Sequence, residues 1–281
     1  MADSDETSGT FEEILVAMDH SRHSRAALEL AASMAELMQA KIHGVFVRDD
    51  QWVRISKMTS LAEIDELTGN ISPIGSNSVE QEIRNLEKTI QEYFEFVSRR
   101  HQLSHTWSAV QGSVAEKVIE ASQTSDIITI GSRGRSYIKS RKIGSSALAI
   151  LQEAEKAVLI LQDSHTLGPP VVVFDGSRRS ISGLRIASDI AEKNETSLFV
   201  IDISKAFPSN KNGRSDLHEE LKTTIRSEIL ELDEPDMGRF LLMVNKLQGG
   251  LLILPKNKRF TNRKVIGHTL DSADSPVLLA I

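Results

Sequence analysis

A chain of 281 residues, 40% hydrophobic and 26% charged, can bury one large core or two ordinary ones, and two domains is the expected division. It has no cysteine, which excludes disulfides, iron–sulfur clusters and thiolate zinc sites and agrees with a reducing compartment, the cytoplasm. A formal net charge of -6 argues against general nucleic-acid binding, whose sequence-independent affinity comes from Lys and Arg, and no run approaches the roughly 20 apolar residues of a membrane span.

Met1 to Thr10 is acidic and polar where a signal peptide would be basic and then apolar, so a disordered tail is expected. Ile14 to Ala17 reads as a short buried strand. Ser24 to Met38 then carries Ala27, Leu28, Ala31, Met34, Ala35 and Met38 at i, i+3, i+4 spacing, the apolar stripe of a helix. Ile42 to Val47 is a second strand. From Arg48 to Ser78 the period is lost and Gly69, Pro73 and Gly75 punctuate the chain, which predicts an insertion or mobile loop. A helix is expected over Val79 to Arg100, a strand over Thr106 to Val110 and a helix over Ser113 to Ser122. A strand over Asp126 to Ile130, a helix over Ser145 to Glu153 and a strand over Val158 to Leu161 complete the series. Strands alternating with helices imply parallel pairing through right-handed crossovers, hence an α/β, doubly wound sheet.

The chain repeats itself. Ile14-Leu-Val-Ala-Met-Asp19-His-Ser21-Arg22-His-Ser24 recurs as Val171-Val-Val-Phe-Asp175-Gly-Ser177-Arg178-Arg-Ser180, and in the same register Leu28 falls on Leu184, Ala31 on Ala187 and Ala35 on Ala191. The ends match as well, Ala154-Glu-Lys-Ala-Val158-Leu-Ile-Leu161 against Ala273-Asp-Ser-Pro-Val277-Leu-Leu-Ala280. The division is therefore a first unit over 11–163, a polar linker over 164–170 and a second unit over 171–281.

The most informative segment is Asp126-Ile-Ile-Thr-Ile130, which breaks into Gly131-Ser-Arg-Gly134 and is followed by Gly144-Ser145. A buried strand, a Gly-rich loop and a helix opening at Gly-Ser together present backbone N–H groups to a phosphate. In such sheets ligands bind at the carboxyl ends of strands near the switch in strand order, where Asp19 and Gly131 both stand. None of the eight histidines shows metal-ligand spacing such as HExxH.

VAMDHSRHS, GSRGRS after a buried strand, the Gly-x2-Gly-x9-Gly-Ser spacing and the closing VLIL strand resemble a universal stress protein in its tandem two-domain form. The three-glycine spacing is similar to that of the ATP-binding branch of the family. The resemblance covers nearly the whole chain. It implies two tandem flavodoxin-like or Rossmann-like domains of the adenine nucleotide alpha-hydrolase type, each a five-stranded mostly parallel sheet with helices on both faces. It further implies that Gly131 and Gly134 let the backbone approach the phosphates in conformations closed to residues with a Cβ. Gly144, Ser145 and Ser146 would bind phosphate at a helix N-terminus. Asp19 would face the ribose or a phosphate-bound Mg2+, Ala17 and Met18 would flank the adenine, and Val45 would meet its edge through the backbone. Arg133, with Arg135, Lys139, Arg141 and Lys142, makes a basic loop facing phosphate. Family resemblance implies that the last strands pair across a dimer; here Val158 to Leu161 and Val277 to Ala280 could pair within one chain as a pseudo-dimer. Further dimerisation of the chain and a protein partner are expected, with no nucleic acid and no membrane.

Other readings stand beside these. Asp19 and Ser21 also suit helix capping, the commoner work of such residues, and a charge run is usually a solvated face. His20 replaces the glycine usual in the family after this aspartate, which bears on the shape of the turn. In the second copy Leu254-Pro255-Lys256-Asn257-Lys258 stands where the glycine loop should be, and only Gly267 survives, followed by His268 and Thr269. Pro255 has no N–H to donate, so ATP is expected in the first unit alone. For function, a nucleotide-responsive stress-resistance or signalling module comes first. A slow ATPase or nucleotidyl-transfer enzyme of the same fold, and a purely structural scaffold, are the alternatives. Against an enzyme, no positioned base and no SGGxDS loop follow the first strand.

Overall fold

Buried β-branched strands separated by amphipathic helices must pair in parallel and bury both faces of the sheet. The computed structural model shows how; it describes residues 11–50, 62–64, 71–73, 76–134, 143–161, 163, 166–206, 213–221, 225–232, 237–247, 250–272 and 275–281. The first unit runs β1 (Glu13–Met18), α1 (Arg22–Met38), β2 (Lys41–Asp49), a small antiparallel pair β3 (Ala62–Ile64) and β4 (Ile71–Pro73), and α2 (Ser76–Arg100). It continues through β5 (His105–Gly112), α3 (Val114–Ala121), β6 (Ile127–Gly131), α4 (Ser145–Glu153) and β7 (Ala157–Leu161). The second unit repeats the order with β8 (Pro170–Phe174), α5 (Arg178–Lys193), β9 (Leu198–Asp202), α6 (Gly213–Glu220), β10 (Ser227–Glu231), α7 (Met237–Lys246), β11 (Leu251–Pro255), α8 (Arg263–Ser272) and β12 (Val277–Ala280).

One ten-stranded sheet results, in the order β10-β9-β8-β11-β12-β7-β6-β1-β2-β5. Each half has strand order 3-2-1-4-5, the Rossmann order, with the winding reversing between the first and fourth strands. That switch point lies between β1 and β6 in the first unit and between β8 and β11 in the second. The halves meet through their fifth strands, β7 and β12, in antiparallel register Val277↔Ile160, Leu278↔Leu159 and Leu279↔Val158. Both strands are buried along their whole length, so two apolar edges that would invite aggregation cover each other. The remaining edges, β5 and β10, are partly exposed and carry polar residues such as Glu228 and Glu231.

Two cores flank the sheet and each runs through both units. On one face α1, α2 and α5 pack Leu28, Met34, Phe94, Leu184 and Ile190 against Ile14, Val16, Val172 and Ile253. On the other, α3, α4, α7 and α8 pack Val118, Ile150, Phe240 and Ile266 against Leu15, Ile128, Val158, Val173 and Leu279. The expected linker ends one residue early, because Pro170 opens β8, the first-residue position that a strand proline tolerates. The linker is docked: Asn194 Nδ2 donates to the Leu167 carbonyl at 3.0 Å and Gly250 N to that of Pro169 at 2.9 Å. The expected tail lies outside the described residues, as does most of the aperiodic stretch from Arg48 to Ser78.

Candidate functional site

β1 and β6 lie side by side and end together, and the chain leaving them lines a crevice at the switch point. At the end of β1, Asp19 Oδ1 accepts the N–H of Ser21 at 2.9 Å, and the Asp19 N–H donates to Ser24 Oγ at 2.9 Å. Ser21 Oγ accepts the Ser24 N–H at 3.1 Å and is the N-cap of α1. The capping reading therefore holds for Ser21 and for one oxygen of Asp19. The other oxygen, Oδ2, points across the crevice toward Gly134, where a Cβ would stand 3.2 Å from it.

The loop after β6 closes on itself. Ser132 N donates to the Leu161 carbonyl at 2.6 Å, and Gly144 N donates to the Ser132 carbonyl at 2.9 Å. The loop's two ends are thus adjacent: a Cβ on Gly144 would lie 3.6 Å from that oxygen and 3.8 Å from Gly134 N, ordinary contact distances. Gly144 is the N-cap residue of α4, with φ -64°, and having no side chain it makes no capping bond to the first-turn N–H groups of α4. Ser145 is exposed and Ser146 half-buried at that turn. Ser132 is 1% exposed and its hydroxyl has no partner among the described residues.

The structure places the other expected site residues as follows. Neither Gly131 nor Gly134 has positive φ; the positive-φ glycines among the described residues are Gly112 and Gly176. Gly131 is demanded by space, since a Cβ there would lie 2.8 Å from the His23 carbonyl carbon and 2.9 Å from Ser24 N, where α1 crosses β6. Ala17 and Met18 turn their side chains to opposite sides of the sheet, as consecutive strand residues do. Met18 is 4% exposed in the core beneath α1, with Ser24 Oγ 3.7 Å from its sulfur, whereas Ala17 faces the α3 and α4 side. Val45 is held inside the sheet, opposite Ala17 on one side and Ser108 on the other. The β1 register ends at Met18↔Phe46 while β2 continues along β5, so Val47 is the first β2 residue past the end of β1.

Arg133 lies in the loop with one guanidinium nitrogen 3.8 Å from Asp271 Oδ1 of α8, in the second unit. Arg135, Lys139, Arg141 and Lys142 lie outside the described residues. His23, which no spacing in the sequence singled out, is 8% exposed beneath Gly131 and its Nδ1 has no partner among the described residues. Burial holds its pKa below the usual histidine value, reinforced by Arg22 and Arg133 and opposed by Asp163 and Asp19. Among the described residues, no group of three or more His, Asp or Glu side chains could hold a metal ion.

At the corresponding strand ends of the second unit, side chains bond to one another. Asp175, 6% exposed, accepts the Ser177 N–H at 3.0 Å on Oδ1 and the Asn257 amide at 3.1 Å on Oδ2. Asn257 Oδ1 in turn accepts the N–H groups of Arg259 and Phe260 at 3.0 and 3.3 Å. Gly176 takes φ 77°, while its counterpart His20 keeps a negative φ; the serine caps that follow are nevertheless alike. Lys256, 8% exposed, donates its ammonium to the Ala154 carbonyl of the first unit. Burial pulls its pKa down to about 8, with Arg179 adding to the shift and Glu155 opposing it.

Fold and site define a class: a doubly wound α/β unit with a switch-point crevice, duplicated in one chain and joined sheet to sheet. Residues 10–162 match the model of the universal stress protein family. The chain belongs to that family. Its fold is that of a universal stress protein from Archaeoglobus fulgidus, 18% identical over 95% of both chains with a TM-score of 0.67. A protein of unknown function from Pseudomonas aeruginosa is 16% identical over 97% of this chain and 93% of its own, with a TM-score of 0.60. No curated protein matches the chain in sequence. No helix among the described residues is long and apolar enough to cross a membrane.

Proposed function

We propose that the first unit binds ATP in the crevice between β1 and β6, and that the protein is a nucleotide-responsive stress-resistance module whose loops change shape with occupancy. The observation that carries this reading is the glycine loop closed from Gly144 onto Ser132, which brings the glycine-capped N-terminus of α4 beside Gly134 and the Asp19 carboxylate. The N–H groups of Ser145 and Ser146 suit phosphate oxygens, aided by the helix dipole, and Arg133 supplies a guanidinium. Asp19 Oδ2 suits a ribose hydroxyl. One carboxylate is too few for a resident cation, so Mg2+ arrives with the triphosphate. Ala17 offers one apolar face to adenine, and Val47 is better placed than Val45 to meet its edge through the backbone. The second crevice, bridged by Asn257 and lacking the glycines, takes no ATP. Isothermal titration with Mg-ATP should give one site per chain; two sites, or none, would overturn the reading.

A further inference from the structure

The second unit touches the first unit's site elements at two places. Lys256 stands where the first unit has Ser132, and its buried ammonium donates to the carbonyl of Ala154, the C-cap residue of α4. Beside it Gln152 Nε2 of α4 lies 3.5 Å from the Thr261 carbonyl. The helix whose N-terminus faces the crevice is thus held at its other end by the second unit, and a cation at that end is favourable to its dipole. At the crevice itself, Asp271 of α8 lies 3.8 Å from the Arg133 guanidinium, with the two side chains 37% and 24% exposed. A carboxylate this close to the loop's arginine opposes an incoming phosphate in two ways. It pairs electrostatically with the guanidinium, and its own charge repels the anion across a partly screened gap.

We propose that Asp271 of the second unit competes with the nucleotide's phosphates for Arg133, so that the second unit sets the affinity of the first. The inference rests on the reading that the crevice takes a polyphosphate. It gives the second unit work that needs no ligand of its own: Lys256 keeps α4 in place and Asp271 tunes the anion site.

Titration of the full chain with Mg-ATP at low salt tests it. Asp271→Asn should tighten binding roughly two- to fivefold, the range of a partly exposed ion pair, and the gain should shrink at high salt. In the Arg133→Ala background the same substitution should change affinity less, because its target is gone. Wild-type protein that binds ATP while Asp271→Asn binds equally or more weakly overturns this proposal and leaves the crevice reading standing. An equal gain in both backgrounds also overturns it. Failure of both wild type and Asp271→Asn to bind ATP removes the crevice reading and this proposal with it.

Discussion

Gly131 and Gly144 belong to one motif, yet they do different physical work. At Gly131 the atoms in the way are the backbone of α1, which cannot rotate aside, so Gly131→Ala has to push the first turn of the helix off β6. A loss of about 1–3 kcal/mol is expected, as for overpacking in a core, read from the urea midpoint. Gly144 has an ordinary φ and its nearest neighbour to a Cβ is 3.6 Å away, so Gly144→Ala should stay within about 0.5 kcal/mol of wild type in the same measurement. The glycine spacing was legible in the sequence, but the reason for its first glycine was not. It comes from His23 and Ser24, which are distant along the chain from Gly131 and reach it only because β1 and β6 are neighbours. The same adjacency explains why His23 was invisible: its lowered pKa depends on burial beneath β6 and on Arg133, neither of which any spacing encodes.

At the scale of elements, periodicity located the strands and helices of the first unit, and the structure mostly lengthened them. Ile14 to Ala17 becomes β1 over Glu13–Met18, and Ile42 to Val47 becomes β2 over Lys41–Asp49. What periodicity could not supply was register. The face assignment of Met18 and the placing of Val45 inside the sheet both follow from where β1 stops against β2, a pairing between segments. In the second unit, the loop after β11 is not an empty version of the first. Asn257 braces it by bonding Asp175 and two backbone N–H groups. Asn257→Ala would leave a buried carboxylate oxygen and two donors without that partner, and a loss of about 1–3 kcal/mol is expected in denaturant unfolding. The ATP stoichiometry should remain one, because Pro255 still lacks the N–H a cradle requires.

At the scale of the molecule, the join between β7 and β12 turns two five-stranded sheets into one, with two cores continuous across the boundary. A fragment of residues 11–163 would expose β7 as a fully apolar edge with a row of unpaired backbone groups. It is expected to self-associate, so sedimentation should find it dimeric or aggregated. A monomeric fragment would mean that the edge is covered by something other than β12.

By itself the sequence determined the α/β class, the duplication, the family and the asymmetry between the two glycine loops, because all of these are written in local period, local spacing and self-similarity. Only the tertiary structure decided which face Met18 takes, why Gly131 has no side chain, that His23 lies under the loop, that Lys256 holds the far end of α4 and that Asp271 reaches Arg133. Each of those depends on sheet order and on contacts between segments far apart along the chain. Burial, close approach and charge proximity arise from three-dimensional neighbours, and no residue carries them alone.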